Sequence, residues 1–258
     1  MKILVSNDDG VDAPGLWAAA ESLRPAGEVV VVAPDREQSG VGTAVTLHGP
    51  VRIRPVAAPV EGVTAFAVEG TPADSVIVAL ERLVGPVDLV VSGINQGANL
   101  GEDVVVSGTV GAALQGYVRG VNAIAISVTS IKKVRLEVAS RLLRLLAPHL
   151  GEDSLPRPLF LNINLPNEPL HKIQGIKVTR MGQRSYLETV KEGRDSRRTY
   201  YWISRNRLVM QEQEGTDVWA VKHSHISITP LQVQLTAHQQ LPALQELCQA
   251  LNRGLRPR

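Results

Sequence analysis

Aromatic residues are scarce in this chain, at 3% of 258 residues. So few rings cannot build the stacking platforms that single-stranded nucleic acid needs. An excess of one charge is missing too. The 27 basic and 25 acidic residues leave a formal net charge of +2, which sets up no broad field for a polyanion. Cysteine occurs once, as Cys248, so neither an internal disulfide nor a cysteine-rich zinc site is available. That residue reads as a small hydrophobe in a C-terminal helix. No apolar run approaches the roughly 18 residues of a membrane span. Lys2 and a strand that turns polar by Ser6 do not read as a signal peptide. A G-x-G-x-x-G turn after the first strand is also lacking, which disfavours a dinucleotide oxidoreductase. From these absences we expect a soluble cytoplasmic protein with no membrane and no nucleic-acid polymer among its partners.

What is present is ordinary in bulk and specific in detail. Hydrophobic residues at 44% and charged residues at 20% suit a soluble globular protein. A compact fold of this length buries about 70–75% of its unfolded surface and needs no staples. Ile3-Leu4-Val5 is a short apolar run with no polar face, as in a strand covered on both sides within a parallel sheet. It stops in Ser6-Asn7-Asp8-Asp9-Gly10, which is turn chemistry. A helix follows at 16–23, with Pro14 near its first turn, and then a second buried strand at 28–33. Strand, turn, helix and strand make a βαβ unit, hence a parallel pair with a right-handed crossover.

The same texture continues to about residue 166. The second strand ends in the polar loop Pro34–Gly42, and short strands are expected at 43–47, 51–54 and 64–68. Thr71 caps a helix that begins at Pro72 and runs to about Val84. Buried strands are expected at 89–92 and 123–127, with a helix of small residues after Ser107-Gly108-Thr109 between them. Residues 134–147 place Val134, Val138, Leu142, Leu145 and Leu146 on one helical face. Phe160–Pro166 closes the sheet-like half. Beyond it, helical periodicity disappears, and β-like runs at 176–180, 199–203 and 226–229 are separated by charged loops. The charge run 191–198 reads as a solvated loop or hairpin tip. Residues 239–251 form an amphipathic helix bearing Leu241, Leu244, Leu247, Cys248 and Leu251, to dock on its own domain or on a partner chain. The fold class is therefore α/β: a Rossmann-like, mostly parallel sheet over 1–166, with a β-rich extension and tail helix over 167–258 completing one large domain.

Three strand ends deliver oxygen-rich turns to one sheet edge, where ligands bind in open α/β folds. They carry Asp8 and Asp9, then Ser39, then Asn95. Adjacent carboxylates repel, and sit more comfortably around a cation than bare; an Asx turn beside a helix cap explains the same residues without one. Carboxylate, hydroxyl and amide oxygens suit a hard cation, magnesium or manganese. Ser107-Gly108-Thr109 opens a helix, so its unpaired N–H groups and two hydroxyls form an anion site, unless the serine and threonine are simply caps. A cation site beside an anion site can hold and polarise a phosphoryl group.

Five segments together make a family resemblance: Asn7-Asp8-Asp9-Gly10; Ala33-Pro34-Asp35 with Gln38-Ser39; Gly70-Thr71-Pro72-Ala73-Asp74; SGINQGANLGEDVVVSGTVGAALQG from Ser92; and TDVWAVKHSHISITPL from Thr216. The chain resembles the SurE (stationary-phase survival) proteins, which are metal-dependent nucleotidases, from residue 1 to about 231. The resemblance implies one divalent ion per subunit at Asp8, Asp9, Ser39 and Asn95, and a phosphate-facing segment at Asn99 and Ser107, Gly108 and Thr109. It implies hydrolysis of nucleoside 5′- and 3′-monophosphates, in some members also of short polyphosphate. It implies a homodimer or tetramer with exchanged C-terminal segments. Asp8 and Asp9 are then the catalytic candidates, by activating water or through a covalent aspartyl-phosphate. Val106, Gln115 and Ser224 depart from the family's usual tyrosine or histidine, glutamate and glycine; none is an expected metal ligand.

Other candidates carry less. His223 and His225 would share a strand face as a possible metal pair, but a third ligand is missing, and a structural or interface role fits better. Arg180 and Arg184 could offer a guanidinium to phosphate, or simply be solvated turn residues. The rival functional class is a non-catalytic, nucleotide-binding regulatory protein that keeps the phosphate cradle.

Overall fold

The computed structural model describes residues 1–150, 155–187, 190–195, 198–203, 207–210 and 212–255. In chain order the elements are β1 (Lys2–Ser6), α1 (Pro14–Leu23), β2 (Glu28–Pro34), β3 (Arg52–Val56), β4 (Thr64–Glu69), α2 (Pro72–Val78), β5 (Leu89–Gln96) and α3 (Gly108–Tyr117). There follow β6 (Asn122–Val128), α4 (Glu137–His149), β7 (Phe160–Leu165), β8 (Gly175–Val178), β9 (Arg184–Leu187), β10 (Val190–Arg194), β11 (Thr199–Ile203) and β12 (Arg207–Met210). The last three are α5 (Asp217–Lys222), β13 (His225–Pro230) and α6 (Leu241–Leu255).

Nine strands form the main sheet in the order β3-β4-β2-β1-β5-β6-β7-β13-β8. From β4 to β7 every pairing is parallel. The chain winds outward from β1 in one direction through β2 and in the other through β5, so β1 and β5 flank the switch point of the sheet. Alternation along β1 explains the two cores. Ile3 and Val5 pack under α1 and α4 with Leu16, Leu23 and Leu143, whereas Leu4 packs on the other face with Val76 of α2 and Val110 of α3.

The sheet does not end at β7. β13 pairs antiparallel with β7, and β8 pairs parallel with β13, so strands beyond residue 166 extend the same sheet. The charge run lies on a hairpin, β10 against β11, closed by the Asp195 N–H donating to the Arg198 carbonyl. Ser196 and Arg197 lie outside the described residues. No helix among the described residues is long and apolar enough to cross a membrane.

Several expectations need correction. Residues 43–47 form no strand, because their polar groups are held elsewhere: the Thr46 N–H and hydroxyl both donate to the Asp74 carboxylate, and the Thr71 hydroxyl donates to the Ala44 carbonyl. The helix expected to run to Val84 is α-helical only to Val78 and then widens into a looser turn over Ala79–Leu83. On α4, Leu145 faces solvent, and Leu143 and Ala147 are buried in its stead. A six-residue helix, α5, interrupts the extension, capped by Thr216, whose hydroxyl accepts the Trp219 N–H. His223 ends that helix instead of sharing a strand with His225, and both imidazoles stack on Trp219. Among the described residues no cluster of three or more His, Cys, Asp or Glu could hold a metal. Ser224 sits at φ +58, the left-handed region that glycine enters without steric cost.

Candidate active site

The first turn is fixed by its own polar groups. The Asn7 amide donates to the Gly10 carbonyl at 2.9 Å, and Gly10 takes φ +98, where a side chain would also meet the Arg36 backbone at 3.0 Å. The Gln38 N–H donates to the Asp8 carbonyl at 2.7 Å, which ties the 35–42 loop to this turn. Asp8 is consequently buried at the carboxyl end of β1, beside the switch point.

Asp8 lies against the opening of α3. A Cβ on Gly108 would stand 2.8 Å from the Asp8 Cβ and 3.0 Å from Oδ2, so only glycine lets the carboxylate come this close. The Thr109 hydroxyl donates to Asp8 Oδ1 at 2.5 Å, and the Thr109 N–H also bonds this carboxylate. Asn99 completes the row: its amide donates to the Thr109 oxygen at 3.3 Å and to the Ser127 hydroxyl at 2.9 Å. Ser107 caps α3 by accepting the Val110 N–H, and keeps its own hydroxyl hydrogen to donate. The mouth of α3 thus already holds one negative group, Asp8, and both Thr109 and Asn99 give their hydrogens to protein acceptors.

Asp9 is partly buried, and its Oδ2 accepts the Gln96 N–H at 3.3 Å. Asn95 precedes that residue on β5, which runs to Gln96 instead of ending at Ser92, and the pairing with β6 slips between Ser92 and Asn95. Such irregularities re-aim side chains. The Asn95 amide donates to the Gly97 carbonyl, which leaves its side-chain oxygen as the atom open to a cation. Ser39 follows Gln38 in the loop tied to Asp8; its hydroxyl donates to Glu37 at 2.8 Å and its side chain is exposed. Neither the Ser39 hydroxyl nor the Asn95 amide hydrogen-bonds either carboxylate among the described residues, although their loops meet the turn that carries both.

The electrostatics of this corner are unfavourable as it stands. Burial pushes Asp8 above the ordinary carboxylate range, against the Thr109 bonds that favour its charge. Burial, then the Asp8 charge beside it, pushes Asp9 up to about 7, with Glu37 adding repulsion. Among the described residues neither carboxylate has an ion pair with a lysine, arginine or histidine. The Asn7 side-chain oxygen is a further buried acceptor without a partner. Two carboxylates with a hydroxyl and an amide oxygen nearby form the all-oxygen set that a hard divalent cation takes, and the residues fit one.

Reading the sequence missed Glu37, although it stands inside the quoted 35–42 loop, and missed Gln96. Arg180 donates to the Glu214 carbonyl, and among the described residues it makes no hydrogen bond to Asp8 or Asp9. Val106 is exposed, and the Gln115 side-chain oxygen accepts from Arg119.

Known proteins match this chain over most of its length. The family model described as Survival protein SurE matches residues 3–188. A protein of Dehalococcoides mccartyi (strain CBDB1) named 5'-nucleotidase SurE is 48% identical over 238 residues, covering 91% of this chain and 90% of that protein. One of the same name from Geotalea daltonii is 45% identical, covering 95% of this chain and 98% of its own. The crystal structure of a SurE protein from Aquifex aeolicus superposes with a TM-score of 0.82 at 37% identity, covering 96% of this chain and 99% of that one. With fold and sequence in agreement over nearly the whole length, this chain belongs to the SurE family.

Proposed function

We propose that the chain is a metal-dependent phosphomonoesterase that hydrolyses nucleoside 5′-monophosphates to nucleoside and phosphate, the activity its relatives are named for. One observation carries the chemistry: two adjacent buried or half-buried carboxylates with no positive partner among the described residues, Asp8 pressed against the mouth of α3 and Asp9 beside β5, at the switch point of the sheet. Asp8, Asp9, Ser39 and Asn95 are the side chains to hold a magnesium or manganese ion. When bound, that ion supplies Lewis acidity toward a phosphoryl oxygen and toward water. Ser107 and Gly108 would face the phosphate with the Ser107 hydroxyl hydrogen and the Gly108 N–H, at the helix end where growing negative charge is stabilised. Asn99 and Thr109 reach the phosphate only by exchanging a protein hydrogen bond for it. Asp9, less buried than Asp8 and bonded through one oxygen, is the residue to orient the attacking water. Asp8 is held by Thr109 and is the poorer nucleophile for a covalent route.

Phosphate release from a panel of 5′- and 3′-nucleotides and short polyphosphate tests this reading. Release from at least one 5′-nucleotide is expected with Mn²⁺ or Mg²⁺ and none after chelation. Nucleotide binding without release under every metal would favour the regulatory protein instead.

The tail adds a second proposal, a homodimer or tetramer with exchanged C-terminal segments. Every residue from 232 to 249 is exposed, and Leu241, Leu244, Leu247 and Leu251 form a stripe that is not buried among the described residues. Truncation after Leu231 is expected to give a monomer by light scattering. An unchanged oligomer would count against tail-mediated assembly.

A further inference from the structure

The hydrolysis described above leaves Asn162, Asn164 and Asp217 without a part, yet all three are completely buried. Leu161-Asn162-Ile163-Asn164-Leu165 alternates, so the two asparagines share one face of β7. A strand covered on both sides carries amides only where their hydrogen bonds are made. Across the ladder, Ser127 of β6 and Ser227 of β13 stand opposite Asn164, and Thr229 stands opposite Asn162. A buried polar row therefore crosses three strands beneath the turn that begins at Asn99.

The bonds from this row converge on that turn. Asn164 accepts the Asn99 N–H at 2.9 Å and donates to the Asn99 carbonyl at 3.0 Å, and Asn162 donates to the same carbonyl at 2.8 Å. Two residues on, the Asp217 carboxylate accepts the Gly101 N–H at 2.9 Å through one oxygen and the Gly182 N–H at 2.7 Å through the other. The backbone of Asn99 is thus gripped by the sheet, and Gly101 by the start of α5. From the side chain of Asn99 the path continues through Thr109 to Asp8.

Asn162 is the informative member. Its side-chain oxygen is buried with no partner among the described residues, which is unfavourable for folding. The Asn99 carbonyl would still hold the Asn164 amide if Asn162 were apolar. A leucine of similar size would therefore serve stability as well or better.

We infer that Asn162, Asn164 and Asp217 are positioning residues for the phosphomonoesterase reaction, fixing the 99–101 turn so that Asn99 holds Thr109 and Asp8 in register. The inference rests on the hydrolase reading and adds to it a structural task for the TDVWAVKHS segment. In the full-length protein, Asn162→Leu is expected to keep or raise the melting temperature while kcat falls about ten-fold and inhibition by inorganic phosphate weakens by a similar factor, as when outer partners of a site are removed. Asp217→Asn, which turns an NH₂ toward at least one of the three N–H groups that the carboxylate accepts (Gly101, Gly182 and Val218), is expected to lower kcat similarly per Mn²⁺-binding chain. It decides the matter if Asn162→Leu does not fold. Wild-type kcat and phosphate inhibition in the folded variants would overturn the inference and leave the hydrolase reading standing. A wild-type protein that released no phosphate would remove both.

Discussion

Asp8→Asn is expected to lower kcat by at least about 10³-fold while the metal-free protein melts at an unchanged or higher temperature. The first half follows from the loss of a charged ligand whose neighbours cannot replace it. Asparagine keeps the size of Asp8 and can still accept from Thr109, so the turn at 7–10 has no reason to rearrange. The second half follows from the sign of the pKa shifts. Both carboxyls hold their protons to higher pH in the folded chain than in the unfolded one, Asp8 because it is buried and Asp9 up to about 7. Between about pH 4 and about pH 7 the unfolded state is therefore the one that has released protons, and wild-type stability without metal falls as pH rises through that window. Asparagine removes the buried charge and part of the repulsion on Asp9, so the fall becomes smaller. A divalent ion requires the charged carboxylates, and should raise the wild-type melting temperature more at pH 8 than at pH 5. In Asp8→Asn that rise should vanish. Calorimetry at several pH values with and without Mn²⁺ reads all of this, and near-wild-type activity in the variant would remove Asp8 from the mechanism.

Gly108→Ala is the second large effect, about 100-fold in kcat, and here the fold itself gives no warning. Gly108 does not sit at positive φ, so alanine is unstrained in the backbone and is the better helix former. The obstacle is Asp8, whose Cβ would lie 2.8 Å from the new methyl group. Either Asp8 or the start of α3 must move, and displacement of a catalytic group by a fraction of an ångström to one ångström typically reduces rates by about 100-fold. Steady-state kinetics beside circular dichroism check it. A folded Gly108→Ala enzyme with wild-type kcat would mean that the contact between Asp8 and α3 does not matter.

The parts of this structure that could be read from the sequence are those with local causes. Ile3-Leu4-Val5 has no polar face and must be covered on both sides; Thr71 before Pro72 is a helix cap, and in the structure its hydroxyl accepts the Asp74 N–H. Residues 43–47 misled because their alternation resembles a strand, whereas a carboxylate 28 residues away takes their polar groups. The place of β13 and β8 beside β7 depends on pairings between distant segments that no local pattern encodes. The same holds at the site. The turn chemistry of 7–10 and the cap at Ser107 were legible, but the seating of Asp8 on Gly108, the commitment of Thr109 to Asp8 and the nearby charge of Glu37 arise only when β1, α3 and the 35–42 loop come together.

A crystal structure of the protein soaked in Mn²⁺, read by its anomalous signal, tests most directly whether these turns share one ion. One peak per chain is expected, with oxygens of Asp8, Asp9, Ser39 and Asn95 on the order of 2.0–2.6 Å away. A peak elsewhere, or one that Asp8 and Asp9 bind without the oxygens of residues 39 and 95, would contradict it.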